Sequence, residues 1–199
     1  LVVPAVIGVD ETSFQKRHEY VTVVCDPTGK KVLYVADGRG VSSLAGFFGA
    51  LTPEQLDVIE VVAMDMSGPF LSATRAALGE TADERIVFDK FHIASLLGDA
   101  VNTVRRTEHK ALLARSDDQL KGTRHLFLTN RNNLSSGQLR SIEAFRKSNL
   151  KVARAWAIKE TFMDVFAVVR AGDVERQLKK VLGWMARSRL APMKRAAKT

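Results

Sequence analysis

The sequence predicts an α/β fold in which a mixed sheet, of order βββαβαβ, is followed only by helices. Three observations predict it. Apolar and β-branched runs cluster before residue 90, at 2–9, 20–25, 32–36, 58–64 and 85–88. The first three are joined by hairpin-length links, whereas the last two are reached through helical stretches, which combines antiparallel with parallel pairing. After residue 90 the apolar positions recur at helical spacing and no further strand-like run follows.

The elements follow from local chemistry. The run VVPAVIGV is almost unbroken in apolar residues and ends at Asp10, the pattern of a strand buried on both faces. YVTVVC and VLYVA flank DPTGK, where Pro27 and Gly29 suit a tight turn, so the two form a hairpin beside the first strand. Residues 41–50 read as a helix, and Pro53 opens a short turn of another. The fourth strand ends at Asp65; Ser67 and Pro69 then supply an N-cap and an early helical proline for a helix running to Gly79. The fifth strand, RIVF, ends at Asp89. Beyond it, Phe91, Ile93, Leu97, Val101 and Val104 mark a helix over 91–115. Residues 116–133 read as loop, and helices follow over 134–147, 150–170 and 173–189. The expected division is an α/β core over 1–89 and a basic helical region over 90–199, inserted within the same domain.

Composition narrows the class. A chain of 199 residues, 46% hydrophobic and 26% charged, folds; it is neither disordered nor collagen-like. Its one cysteine, Cys25, excludes an intrachain disulfide and fits a reducing cytoplasm. No apolar run approaches the roughly 18 residues of a membrane span, and the N-terminal residues do not form a signal peptide. The chain opens without methionine directly into a strand-like run, as a fragment of a longer protein would. Residues 1–89 hold seven Lys and Arg against thirteen Asp and Glu, a balance of −6, whereas residues 90–199 hold 23 against nine, a balance of +14. An acidic half joined to a strongly basic half points to metal-binding carboxylates beside a surface for a polyanion, although basic helices also serve solubility alone.

Asp10 and Asp65 are the informative acids, because each ends a predicted strand and binding sites form at strand ends in open α/β sheets. If the two strands are neighbours, the carboxylates lie side by side and repel unless a divalent cation sits between them. Two such ions, Mg²⁺ or Mn²⁺, activate an attacking oxygen and stabilise a leaving one in phosphodiester chemistry. Aspartate also follows strands simply because it suits turns and caps; the pair in this strand order, which is that of the ribonuclease H-like fold, favours the metal reading. Asp89 and His92 form a D-x-x-H pair before the first basic helix, which carries Asn102 and then Arg105, Arg106 and Lys110 as candidate DNA contacts. Glu160, in WAIKETF, shares a helix edge with Trp156 and Met163 and is either a site carboxylate or a solvated surface residue.

These segments together resemble a known family. VIGVDET, the hairpin YVTVVCDPTGKKVLYV, VVAMDMSGPF, RIVFDKFHI and the WAIKETF helix are similar to bacterial insertion-sequence DDE transposases of the ISL-three type, over nearly the whole chain. The resemblance implies that Asp10 and Asp65 are the first two catalytic acids, and that Asp89 and His92 match an accessory C/D-x-x-H motif that supports the site and helps handle DNA. The third acid is either Glu160 or a glutamate in an N-x-x-x-E-G-type stretch beyond Thr199. The activity implied is cleavage at transposon ends and joining to a target, with water and then a 3′-hydroxyl as nucleophile. Its setting would be the bacterial cytoplasm at the nucleoid, with transposon-end and target DNA as partners, no membrane, and a homo-oligomer in the full-length protein. The cysteine-rich zinc motif that precedes the catalytic domain in this family has no counterpart here. Two other readings stay open: a catalytically silent DNA-binding or assembly fragment, and a plain ribonuclease H-like nuclease.

Overall fold

The computed structural model describes residues 2–13 and 19–198. The chain packs as two units that divide between His92 and Ile93.

In the first unit, β1 (Val6–Ser13), β2 (Tyr20–Asp26) and β3 (Lys31–Asp37) form an antiparallel meander. The β2–β3 turn is fixed by Asp26, whose Oδ1 accepts the amides of Thr28 and Gly29 at 2.9 and 2.7 Å. The left-handed residue of that turn is Lys30, at φ 52°, and not Gly29. α1 (Val41–Gly49) and α2 (Pro53–Val58) lead to β4 (Val61–Met64), which joins β1 in parallel. Thr52 and Gln55 close a reciprocal capping box at the start of α2. α3 (Gly68–Leu78) ends at Gly79, whose φ of 64° suits a residue without a Cβ. A short α4 (Ala82–Arg85) then delivers β5 (Ile86–Phe88), parallel to β4. The five-stranded mixed sheet has the order β3-β2-β1-β4-β5.

One face of this sheet is sealed. Ile7, Val9, Val24, Val62 and Met64 pack with Leu44 and Phe47 of α1 and Phe70 of α3. Burying each such side chain contributes about 1.5–3 kcal/mol. The alternate residues Val6, Gly8, Val61 and Ala63 are only half-buried. The expectation of a first strand buried on both faces and ending at Asp10 is therefore corrected in two respects. β1 alternates, and it continues through Glu11, Thr12 and Ser13 because β2 pairs with those polar residues.

The second unit is helical. α5 (Lys90–Leu113), α6 (Arg124–Leu128), α7 (Ser136–Lys147), α8 (Lys151–Asp164), α9 (Ala171–Arg187) and α10 (Ala191–Ala196) enclose one core. Leu97 and Val101 meet Phe127, Ile142, Ile158 and Met185 there. The expected helix over 150–170 stops at Asp164 and passes through a 3-10 turn, Val165–Ala167. α6 lies inside the stretch read as loop, and α10 lies beyond the last predicted helix. Among the described residues no helix is long and apolar enough to cross a membrane.

α8 occupies the centre and is buried around most of its circumference. Its N-cap, Leu150, has no side-chain acceptor, so its first amides need a partner from elsewhere. Glu108 of α5 supplies it: Oε1 accepts the Lys151 amide and Oε2 the Val152 amide, both at 2.8 Å. A carboxylate at a helix N-terminus also complements the helix dipole. Glu108→Ala is expected to lower the unfolding free energy by about 1–2 kcal/mol, read by urea denaturation. An unchanged denaturation midpoint would show that water caps α8 equally well.

Candidate active site

Strand register assembles the acids. Val9 lies opposite Met64, and Met64 opposite Phe88, on three neighbouring parallel strands. Asp10, Asp65 and Asp89 each follow one of these aligned residues, so the three stand in a row: Asp65 and Asp89 just past the carboxyl ends of β4 and β5, and Asp10 within β1, one residue past its last pairing with β4. Adjacent strands lie about 4.8 Å apart, which brings neighbouring members of the row within reach of one small cation. Asp10 and Asp65 also continue the half-buried face of the sheet, since Gly8 pairs with Ala63 two residues earlier.

Backbone amides hold each carboxylate. Asp10 Oδ1 accepts the Glu11 amide at 2.8 Å. Asp65 Oδ1 accepts the Ser67 amide at 2.9 Å, an Asx turn that starts α3 in place of the side-chain cap expected from Ser67. Asp89 Oδ1 accepts the Phe91 amide at 2.8 Å and so opens α5. Its own amide donates to the Met64 carbonyl at 2.9 Å, tying the end of β5 to β4. His92 Nε2 stands 4.0 Å from Asp89 Oδ2, so the two side chains of the D-x-x-H pair are neighbours on the surface without a hydrogen bond between them. Asp10 is exposed and Asp65 half-buried, and neither Oδ2 has a hydrogen-bond partner among the described residues. Beside them Arg39 pairs with Glu11 at 3.1 Å and stacks on Tyr20, 4.2 Å from the ring centroid.

This donor set fits a hard divalent cation, because Mg²⁺ and Mn²⁺ take carboxylate oxygens and one oxygen of each aspartate is left for such a bond. Among the described residues no three His, Cys, Asp or Glu side chains form a metal-sized cluster.

The other candidates belong to the helical unit. Glu160 is 4% exposed and Lys159 5%, so Glu160 is not a solvated surface residue. Its Oε2 accepts the Arg131 amide at 2.9 Å, and its Oε1 lies 2.8 Å from Lys159 Nζ, close in distance but not aligned as a hydrogen bond. Lys159 Nζ in turn faces the carbonyls of Phe127, Leu128 and Thr129 at 3.3–3.5 Å, the carboxyl end of α6. The pair thus clamps the segment 129–131 from inside. Glu160 stands out in the sequence through Trp156 and Met163, whereas Lys159 does not, because α8 also carries Lys151, Arg154 and Asp164 and one more charge there gives no signal.

Arg105 on α5 is half-buried and both its Nε and Nη2 reach Asn102 Oδ1, at 3.2 and 3.1 Å. Burial, followed by the nearby Arg124 and Arg106, lowers its pKa from the ordinary value. Arg106 and Lys110 are exposed on the same helix.

Residues 7–199 match the family of ISL3-type DDE transposases, described as Transposase. The chain is 29% identical over 159 residues to the transposase for insertion sequence element IS1001 of Bordetella parapertussis, covering 77% of this chain and 38% of that protein. It is 24% identical over 207 aligned positions to the transposase for insertion sequence element IS1557 of Mycobacterium tuberculosis, covering 92% of this chain and 46% of that protein. The chain therefore spans less than half the length of these relatives.

Proposed function

The chain belongs to the ISL3-type transposase family, and from that premise we propose that it forms part of the catalytic domain of an insertion-sequence transposase. In this reading the sheet is ribonuclease H-like, and residues 90–199 are a basic helical insertion within the same catalytic domain. The observation that carries it is the aligned placement of Asp10 and Asp65, each one residue past the last pairing of the neighbouring parallel strands β1 and β4.

Asp10 and Asp65 would hold Mg²⁺ or Mn²⁺ through their Oδ2 atoms, while the Glu11 and Ser67 amides fix each carboxylate plane through Oδ1. Such ions, when bound, supply an activated attacking oxygen and charge stabilisation at the leaving oxygen of a phosphodiester. Asp89 sets the start of α5 and with it places His92 beside the row, a positioning role. Of the two positions open for the third carboxylate, we favour a glutamate beyond Thr199 over Glu160, because both oxygens of Glu160 are engaged inside the helical unit. The full-length protein would act as a homo-oligomer on transposon ends and target DNA in the bacterial cytoplasm, at the nucleoid.

The deciding experiment is nicking of supercoiled plasmid, with and without Mg²⁺ or Mn²⁺, by a chain extended past Thr199. Metal-dependent nicking is expected; its absence in the extended chain, with DNA binding retained, assigns a silent binding module instead.

DNA binding by this chain is expected to be carried by residues 90–199 and to be insensitive to sequence, given their balance of +14. Log affinity for duplex DNA should fall with log salt by a slope of about 0.9 per phosphate neutralised. Titrations of unrelated duplexes between about 50 and 200 mM salt check this. A flat salt response, or strong preference for one short sequence, contradicts it.

A further inference from the structure

We propose that a groove in the helical unit, floored by α5 and walled by the start of α8 and the α9–α10 junction, is a seat for the phosphodiester backbone of DNA. The proposal rests on the reading of the chain as a DNA-handling domain and adds a place where the strand lies.

The groove has a volume of about 530 Å³ and is rimmed by four cations, Arg115, Lys151, Arg189 and Arg195. None of the four side chains has an ion-pair or hydrogen-bond partner among the described residues, whereas Arg146, Arg176 and Lys179 elsewhere in the unit each pair with a nearby acid. The one carboxylate in the lining, Glu108, has both oxygens occupied by the Lys151 and Val152 amides. Four like charges facing one groove repel each other, and the arrangement is relieved by a polyanion. The floor is apolar, with Val104 and Leu112, Leu190 extends it from the wall, and Thr103 and Thr107 lie beside it. An apolar floor between cations matches a strand whose phosphates alternate with deoxyribose rings.

Arg189 gives an independent indication. It sits directly after Ser188, the residue that caps the C-terminus of α9, at φ 60°, where glycine is the least strained choice. An arginine there strains the backbone and places a guanidinium on the groove rim. The candidates read from sequence do not describe this site: Arg105, Arg106 and Lys110 are on α5 but do not line it.

The test uses the 199-residue chain with Arg189→Gly, Arg115→Gln and Arg195→Gln, and Arg146→Gln as the control outside the groove. Affinity for an arbitrary 20-base-pair duplex and for its single strand is measured across a salt series, together with thermal unfolding. Each groove substitution is expected to weaken duplex binding about eightfold at 0.1 M salt and to take about 0.9 from the log–log slope. A decrement nearer 0.7 with tighter single-strand binding would assign the seat to an unpaired strand. Arg189→Gly is expected to do this while leaving the thermal midpoint equal or higher, because glycine relieves the left-handed strain. Arg146→Gln should change neither. If the parent chain binds DNA and the groove variants behave like Arg146→Gln, the groove proposal is overturned and the DNA reading stands. If the parent binds no DNA at any salt, both fall.

Discussion

Asp10→Asn and Asp65→Asn are each expected to reduce metal-dependent cleavage by an extended, catalytically complete chain more than about a hundredfold. Outer partners of metal ligands are already worth about 10–100-fold, and a direct ligand is worth more. Asparagine isolates the charge in this structure. Its amide oxygen still accepts the Glu11 or Ser67 amide, so β1 at Asp10 and the start of α3 keep their local bonds. What is lost is the negative charge, and with it the anionic Oδ2 that has no hydrogen-bond partner among the described residues. Mobility shifts should show DNA binding within about threefold of the parent. Asp89→Asn, which keeps its bond to the Phe91 amide, should show a smaller loss. Full cleavage by both the Asp10 and the Asp65 variants would remove the basis for the active-site assignment.

Glu160→Ala is expected to destabilise the helical unit by about 3–5 kcal/mol, because it strands the buried Lys159 ammonium and leaves the Arg131 amide without an acceptor. Glu160→Gln keeps an acceptor for Arg131 and should lose less. Replacing both members, Lys159→Met with Glu160→Met, removes the uncompensated charge and should recover part of the loss relative to Glu160→Ala. Urea denaturation followed by circular dichroism reads all three. If Glu160→Ala unfolds at the parent midpoint while the extended chain loses cleavage, the carboxylate is a free catalytic ligand and the internal clamp is wrong.

The sequence read well where one short segment determines its own shape. The hairpin around DPTGK, the proline at the start of α3, Gly79 at its end and the switch to helical periodicity after Asp89 are local signals, and each element formed near its predicted place. Boundaries set by a partner were not legible. Nothing in Glu11, Thr12 and Ser13 marks a strand; β2 makes them one. α6 and α10, with five and six residues, are too short to display a period. In the site, the neighbourhood of Asp10 and Asp65 could be inferred from strand order, but their one-to-one register could not. Glu160 was visible as an acid on an apolar edge, yet its partner was not. Residues at i and i+1 of a helix do not share a face, and only long side chains bending around α8 bring Lys159 and Glu160 together.

The mixed sheet also fixes an order of assembly. β1, β2 and β3 pair through short connections, so Asp10 acquires its place as soon as the first hairpins close. Asp65 joins it only when β4 returns across α1 and α2 to lie parallel beside β1, a pairing with a far larger loop to close. On a ribosome, the meander emerges and can fold while β4 is still being made. A nascent or truncated chain that stops before Met64 therefore carries one aspartate of the pair and never the other. Synthesis past Asp65 is thus the step on which the acid pair waits: no copy that stops short of that residue holds both carboxylates in register.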